Sequence, residues 1–122
     1  MINSKKKEKL VEVLKNNTKW PMIVEGVQGA DFENAYVMKK DIDERMLYTK
    51  GVWLKFLKGK KYLVLDGIDE LVLQEQLKFE NLLKNRGVSD SYLPDDVQIV
   101  VAVSDVKKLN PKLKEWCLNI SL

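Results

Sequence analysis

The stretch Tyr62-Leu63-Val64-Leu65-Asp66-Gly67-Ile68-Asp69-Glu70-Leu71 decides the reading of this chain. Four apolar residues stand between Lys60-Lys61 and Asp66-Gly67. Such a short continuous run, bounded by turn residues, predicts a strand buried on both faces at the centre of a parallel sheet. Three carboxylates follow within five residues: Asp66, Asp69 and Glu70. Open α/β sheets place their ligands beyond the C-terminal ends of their strands, so Asp66 falls where a ligand group is expected. The carboxylates also have a structural reading. Asp66 can end a strand, and Asp69-Glu70 can open a helix and complement its dipole.

The whole chain has 122 residues, 45% of them apolar and 32% charged, which predicts one globular domain over 1–122 with a real core. Residues 1–19 are expected to form an N-terminal helix and linker. No apolar run reaches 18 residues, and Lys5-Lys6-Lys7 is not followed by a signal-peptide core, so no membrane association and a cytoplasmic location are expected. Cys117 is the single cysteine and there is no histidine. This excludes an internal disulfide, Ser-His-Asp and Cys-His nucleophilic sites, and His-ligated zinc. The net charge of +3 is carried almost wholly by lysine, with Arg45 and Arg86 the only arginines. Spread lysines usually only solubilise a fold. Nucleic-acid binding has weak support, with aromatic and basic residues interleaved only from Lys58 to Tyr62.

Residues 4–17 predict a helix capped by Ser4, with Leu10, Val11 and Leu14 as its apolar stripe and Asn16-Asn17-Thr18 as its stop. Met22-Ile23-Val24 predicts a strand entered through Pro21. The loop Glu25-Gly26-Val27-Gln28-Gly29-Ala30-Asp31-Phe32-Glu33 then lies where a phosphate loop would. Laid on the G-x-x-x-x-G-K-[ST] spacing, Gly26 takes the first glycine. Asp31 replaces the second glycine, Phe32 the lysine and Glu33 the Ser/Thr. A triphosphate would meet repulsion there, so Gly26 and Gly29 read as a structural strand exit. Residues 34–40 predict a second strand. The gap before it is too short for a full crossover helix, so either that helix shrinks to a turn or the strand is absent. Residues 41–58 read as a helix with Met46, Leu47, Trp53, Leu54 and Leu57 buried, Gly51 dividing it and Gly59 ending it. Residues 70–86 read as one helix on Leu71, Leu77, Leu82 and Leu83, stopped by Gly87. A polar loop over 88–96, a buried strand over 97–103, a short helix or turn over 106–116 and a last strand from Cys117 complete the chain. Most of Trp20, Trp53 and Trp116 are expected in the core. The alternation predicts a three-layer α/β sandwich with a mostly parallel sheet of about five strands.

Three segments together resemble the core of an AAA+ ATPase, most closely the MoxR and midasin-type branch. Residues 51–66 are similar to that family's helix, glycine and Walker B strand. Residues 82–86 and 93–102 are similar to its leucine-rich helix and sensor 1 strand, with Ser104 or Asp105 at the sensor position. Leu109-Asn110-Pro111-Lys112-Leu113 is similar to its L-x-P-x-L segment. Asp66-Gly67-Ile68-Asp69-Glu70 also resembles the Walker B variant of NACHT-type NTPases. The resemblance implies a P-loop-NTPase-like fold. The departures imply a degenerate one. The phosphate loop lacks its Lys and Ser/Thr, and Gly67 stands where the catalytic Glu belongs. No arginine precedes the last strand, where Lys112 and Lys114 are the cations, and the sequence reaches no helical lid. The expectation is a pseudo-ATPase without a cofactor that acts through a protein partner, an intact AAA+ ATPase being one candidate. The alternative rests on Met22-Ile23-Val24-Glu25-Gly26, which resembles the first motif of Toprim domains. It would make Glu25 an acid/base and Asp66 and Asp69 the ligands of Mg²⁺ in an enzyme acting on nucleic acid. The D-x-x-D spacing departs from the D-x-D of that family.

Overall fold

The computed structural model describes residues 3–16, 20–50, 52–88 and 91–122, without the side chains of residues 49, 50 and 52. The stops expected at Asn17-Thr18 and the break expected at Gly51 lie outside the described residues. Five strands form one sheet: β1 (Met22–Glu25), β2 (Ala35–Lys39), β3 (Tyr62–Asp66), β6 (Gln98–Val103) and β7 (Leu118–Ile120). Their order is β2-β3-β6-β1-β7, and every pairing is parallel. Two-residue strands β4 (Gly87–Val88) and β5 (Ser91–Tyr92) form a separate antiparallel pair, which starts at the expected helix stop Gly87 and otherwise falls in the stretch 88–96 expected to be loop.

The continuous apolar runs are the interior strands, as their composition requires. Leu63, Val64 and Leu65 of β3 and all six residues of β6 are buried. The central strand is β6, however, and β3 lies one place in from the β2 edge. Alternate residues serve opposite faces. Ile23, Leu63, Leu65, Ile99, Val101 and Val103 pack under the larger helical layer with Leu47, Trp53, Leu57, Phe79, Leu82 and Leu113. Met22, Val24, Val64, Val100 and Ala102 pack under α1 (Ser4–Asn16) and the loop after β1, through Leu10, Leu14, Val27 and Phe32. The result is three layers.

The short gap between β1 and β2 is bridged without a crossover helix. Nine residues, 26–34, hold only a 3-10 turn at Gly29–Asp31. An extended chain of that length reaches about 30 Å. The crossing needs about 14 Å sideways and about 17 Å along the strands. The loop therefore crosses the sheet face obliquely and buries Val27 and Phe32 on it.

Several local expectations are corrected. Asn3 Oδ1, not Ser4, caps α1 by accepting Lys6 N–H at 2.9 Å. Val11 is exposed, and Val13 packs on the core instead. Residues 41–58 are not one α-helix but a wide π turn at Met46–Lys50 and a 3-10 segment at Val52–Leu57. Met46 is exposed there, whereas Leu47 is buried and its carbonyl accepts the Trp53 indole N–H at 3.1 Å. Residues 70–86 break into a 3-10 turn at Ile68–Glu70, α2 (Leu73–Gln76), a 3-10 turn at Leu77–Phe79 and α3 (Glu80–Asn85). Phe79 and Gln76 occupy the core beside Leu82 and Leu83, while Leu71 and Leu77 are only partly covered. Arg86, not Gly87, takes the left-handed cap position with φ 54°. Its guanidinium holds that conformation by donating to Pro94 O at 2.7 Å and Val97 O at 2.6 Å. Of the tryptophans, Trp53 is core, Trp116 is half-buried and Trp20 is exposed. Pro111 opens α4 (Pro111–Lys114), where a missing N–H costs nothing. No helix among the described residues is long and apolar enough to cross a membrane.

Candidate functional site

The parallel strands bring the singled-out carboxylates to one edge of the sheet, where β1, β3 and β6 end. Each is engaged by a different loop. Glu25, at the end of β1, accepts Val106 N–H on Oε2 at 2.8 Å and so ties β1 to the turn after β6. Asp66, at the end of β3, reaches the loop after β1, where its Oδ2 accepts Gly29 N–H at 3.2 Å. The same oxygen lies 3.2 Å from Lys39 Nζ, whose residue is the register partner of Asp66 across β2 and β3. Asp69 is buried and turns toward β6, where Oδ2 accepts Ser104 N–H at 3.1 Å and Asp105 N–H at 3.0 Å. Its Oδ1 is buried without a partner among the described residues. Two amide donors on the other oxygen offset much of the cost of burying that carboxylate.

The loop after β1 is closed on itself. Gly26 turns the chain at φ 85° and donates its N–H to Val103 O at 2.9 Å. Gln28 N–H goes to Asp31 Oδ2 at 2.8 Å and Gly29 N–H to Asp66. Asp31 N–H and Phe32 N–H return to Gln28 O and Gly29 O. In a phosphate loop, successive amides converge on phosphate oxygens. Here the protein's own carboxylates take the amides of Gln28 and Gly29. Any side chain at Gly29 would crowd this spot. A Cβ there would stand 2.5 Å from Val37 Cγ1 and 3.2 Å from Asp66 Oδ2.

The position after Asp66 is equally committed. Gly67 sits at φ 82°, a left-handed conformation that favours glycine. A Cβ there would approach Glu70 Oε2 to 3.2 Å. Glu70 itself pairs with Lys40 at 2.7 Å, and that contact raises the Lys40 pKa above its ordinary value. A side chain at residue 67 would therefore be strained by the left-handed backbone and crowd the Glu70 carboxylate.

The same partners bear on Mg²⁺. The Lys39 ammonium stands where a cation would meet Asp66, and Asp69 spends an oxygen on two backbone amides. Among the described residues no three His, Cys, Asp or Glu side chains group closely enough to hold a metal ion. This donor set does not fit Mg²⁺ as it stands.

Sequence reasoning missed Lys39, Gln76 and Asn110. Lys39 could have been found by aligning the ends of β2 and β3. Gln76 carries little local signal, because two of its partners lie 32 and 34 residues away, and Asn110 before Pro111 signals the helix cap that it forms but not its bond to Leu73, 37 residues away.

No protein-family model matches the chain, and no curated protein matches it in sequence. The fold is similar to that in the crystal structure of a DNA polymerase III gamma subunit-related protein from Thermotoga maritima, with a TM-score of 0.59 and 13% identity. The match covers 95% of this chain and 45% of that one. The chain thus shares an α/β fold with that protein over nearly its whole length and spans less than half of the neighbour's.

Proposed function

We propose that this chain is a degenerate AAA+-like module, of the MoxR and midasin-type branch, that neither binds nor hydrolyses nucleotide and works by contact with a protein partner. One observation carries the reading: the amides of Gln28 and Gly29 are filled by Asp31 and Asp66. A nucleotide would have to displace two internal carboxylates from a loop with no lysine to compensate. The turn at Gly67 adds support, since it forgoes the acid that would activate water. An intact AAA+ ATPase is the partner class that the fold suggests, through family analogy alone. The solved neighbour is related to a subunit of DNA polymerase III, so an assembly of that type is the first place to look. A cytoplasmic setting belongs to the same proposal. The Toprim-like alternative draws no support from the partners of Glu25, Asp66 and Asp69.

The test is a thermal-shift titration with Mg²⁺ alone, ATP alone and both. A ligand at a hundred times its Kd stabilises by about 2.7 kcal/mol, or several degrees in a domain of this size. The proposal expects no shift with ATP and Mg²⁺ at about 1 mM, on the order of cellular ligand supply. A shift that needs both would contradict it. A shift with Mg²⁺ alone that disappears in Asp66→Ala would favour the metal-dependent alternative.

A further inference from the structure

Between the 3-10 turn Ile68–Glu70 and α2, the chain turns two aliphatic side chains into solvent. Val72 is 67% exposed and Leu73 54%. Their backbone is nevertheless fixed. Gln76, fully buried, donates Nε2–H to Leu71 O and to Lys108 O, both at 2.9 Å. Its Oε1 accepts Asn110 N–H at 2.6 Å. The Asn110 side chain donates to Leu73 O at 2.8 Å. Asp69 ties the same turn to Ser104 and Asp105. Buried amides and carboxylates are costly unless their bonds are made. Three of them are used here to hold a loop whose apolar side chains face outward. A fold usually breaks its own burial rule where it has work to do.

The facing wall is the 3-10 turn Val106–Lys108, capped by Asp105, whose Oδ1 accepts Lys107 N–H at 3.0 Å. Lys107 and Lys108 are exposed, and neither makes an ion pair among the described residues. Asp69, Glu70, Leu71, Val72, Leu73, Lys107 and Lys108 line one shallow groove. One oxygen of each of its carboxylates is engaged, Asp69 Oδ2 by two backbone amides and Glu70 Oε2 by Lys40, and Asp69 Oδ1 is buried. The ammoniums of Lys107 and Lys108 and the side chains of Val72 and Leu73 are left to meet a visitor, beside the partly covered Leu71 and the Lys40–Glu70 pair.

We propose that this groove docks a partner protein through a short segment combining an apolar side chain with carboxylates. The apolar group covers Val72 and Leu73, and the carboxylates meet Lys107 and Lys108. This rests on the reading of the chain as an interaction module and adds the chemistry of its partner.

The probe is a random dodecapeptide library displayed on phage, selected on the whole chain. Enriched peptides are then synthesised and measured by fluorescence polarisation. The expected peptides are acidic and apolar. Their affinity falls about tenfold or more in Leu73→Ser and in the double variant Lys107→Glu/Lys108→Glu. Peptides with lysine in place of the acids bind the double variant better than the wild type. All these positions are exposed, so the variants keep the wild-type melting temperature. Absence of enrichment, or peptides that bind wild type and both variants equally, would overturn the groove. A fluorescent ATP analogue is titrated with Mg²⁺ in parallel. Saturable binding of that analogue would overturn the pseudo-ATPase reading while leaving a peptide-binding groove in place. Loss of peptide binding alone would do the reverse.

Discussion

Two loops at the same edge of the sheet use their polar and apolar groups in opposite ways. The loop after β1 turns its amides inward, onto Asp31 and Asp66. The loop after the Ile68–Glu70 turn directs Val72 and Leu73 outward, while buried Gln76 and Asn110 hold its backbone. The first leaves the amides of Gln28 and Gly29 bonded to the protein's own carboxylates. The second keeps open a surface that apolar side chains would ordinarily close. The contrast shows that carboxylates and amides at one end of a parallel sheet can close one loop on itself and hold another with its apolar side chains outward.

Breaking the outward loop should have the largest effect on stability. Gln76→Ala leaves Asn110 N–H, Lys108 O and Leu71 O without their buried partner. The expected loss is about 3 kcal/mol, measured by urea unfolding. A loss below about 0.5 kcal/mol would show that the loop is not held as described. Next comes the inward loop. Gly29→Ala drives a methyl against Val37 and the Asp66 carboxylate, for about 1 to 3 kcal/mol. A neutral outcome would mean that the Gly29–Asp66 contact is loose.

The helical layer that carries the outward loop also sets an alkaline limit. Burial pushes both the Tyr48 hydroxyl, from 10.0, and the Cys117 thiol, from 9.0, up to about 12. Folding favours the neutral form of each. That stability is fully present below the unfolded values and is lost as pH rises toward 12. At pH 10 the expected loss is about 2 kcal/mol, chiefly from Cys117. A Tyr48→Phe/Cys117→Ala variant should show a flatter pH profile between pH 9 and pH 12, whatever its starting stability. An unchanged slope would assign the alkaline loss elsewhere. The smallest effect belongs to Val72→Ser and Leu73→Ser. Both should stay within about 0.5 kcal/mol of wild type, since neither side chain is buried. A larger loss would return these residues to the core and remove the contrast.

The sheet was legible because its signals are local. The runs Leu63-Val64-Leu65 and Ile99-Val100-Val101-Ala102-Val103 are continuous, short and bounded by turns, and both are interior strands. Asp31, Phe32 and Glu33, at the glycine, lysine and Ser/Thr positions of the phosphate-loop spacing, are likewise read directly from the sequence. The helical layer was not legible. Leu71, Leu77, Leu82 and Leu83 suit one helix, yet the stretch breaks because Gln76 is drawn to partners at 108 and 110 and Asn110 to Leu73. Periodicity carries no term for a hydrogen bond across 30 residues. Met46 and Leu47 were equally good core candidates by composition, and the wide turn at Met46–Lys50 buries only Leu47. At the candidate site, the sequence placed Asp31, Phe32 and Glu33 in the loop after β1. It could not show that Asp66, from a strand two places away in the sheet, fills the amide of Gly29.

Hydrogen exchange at the amides of Gln28 and Gly29, with and without ATP and Mg²⁺, tests the closed loop most directly. Both N–H groups are held by carboxylates. The account predicts that both are protected in the free protein and that nucleotide changes neither rate. Fast exchange in the free protein, slowed by ATP and Mg²⁺ together, would show an open phosphate loop and contradict the account.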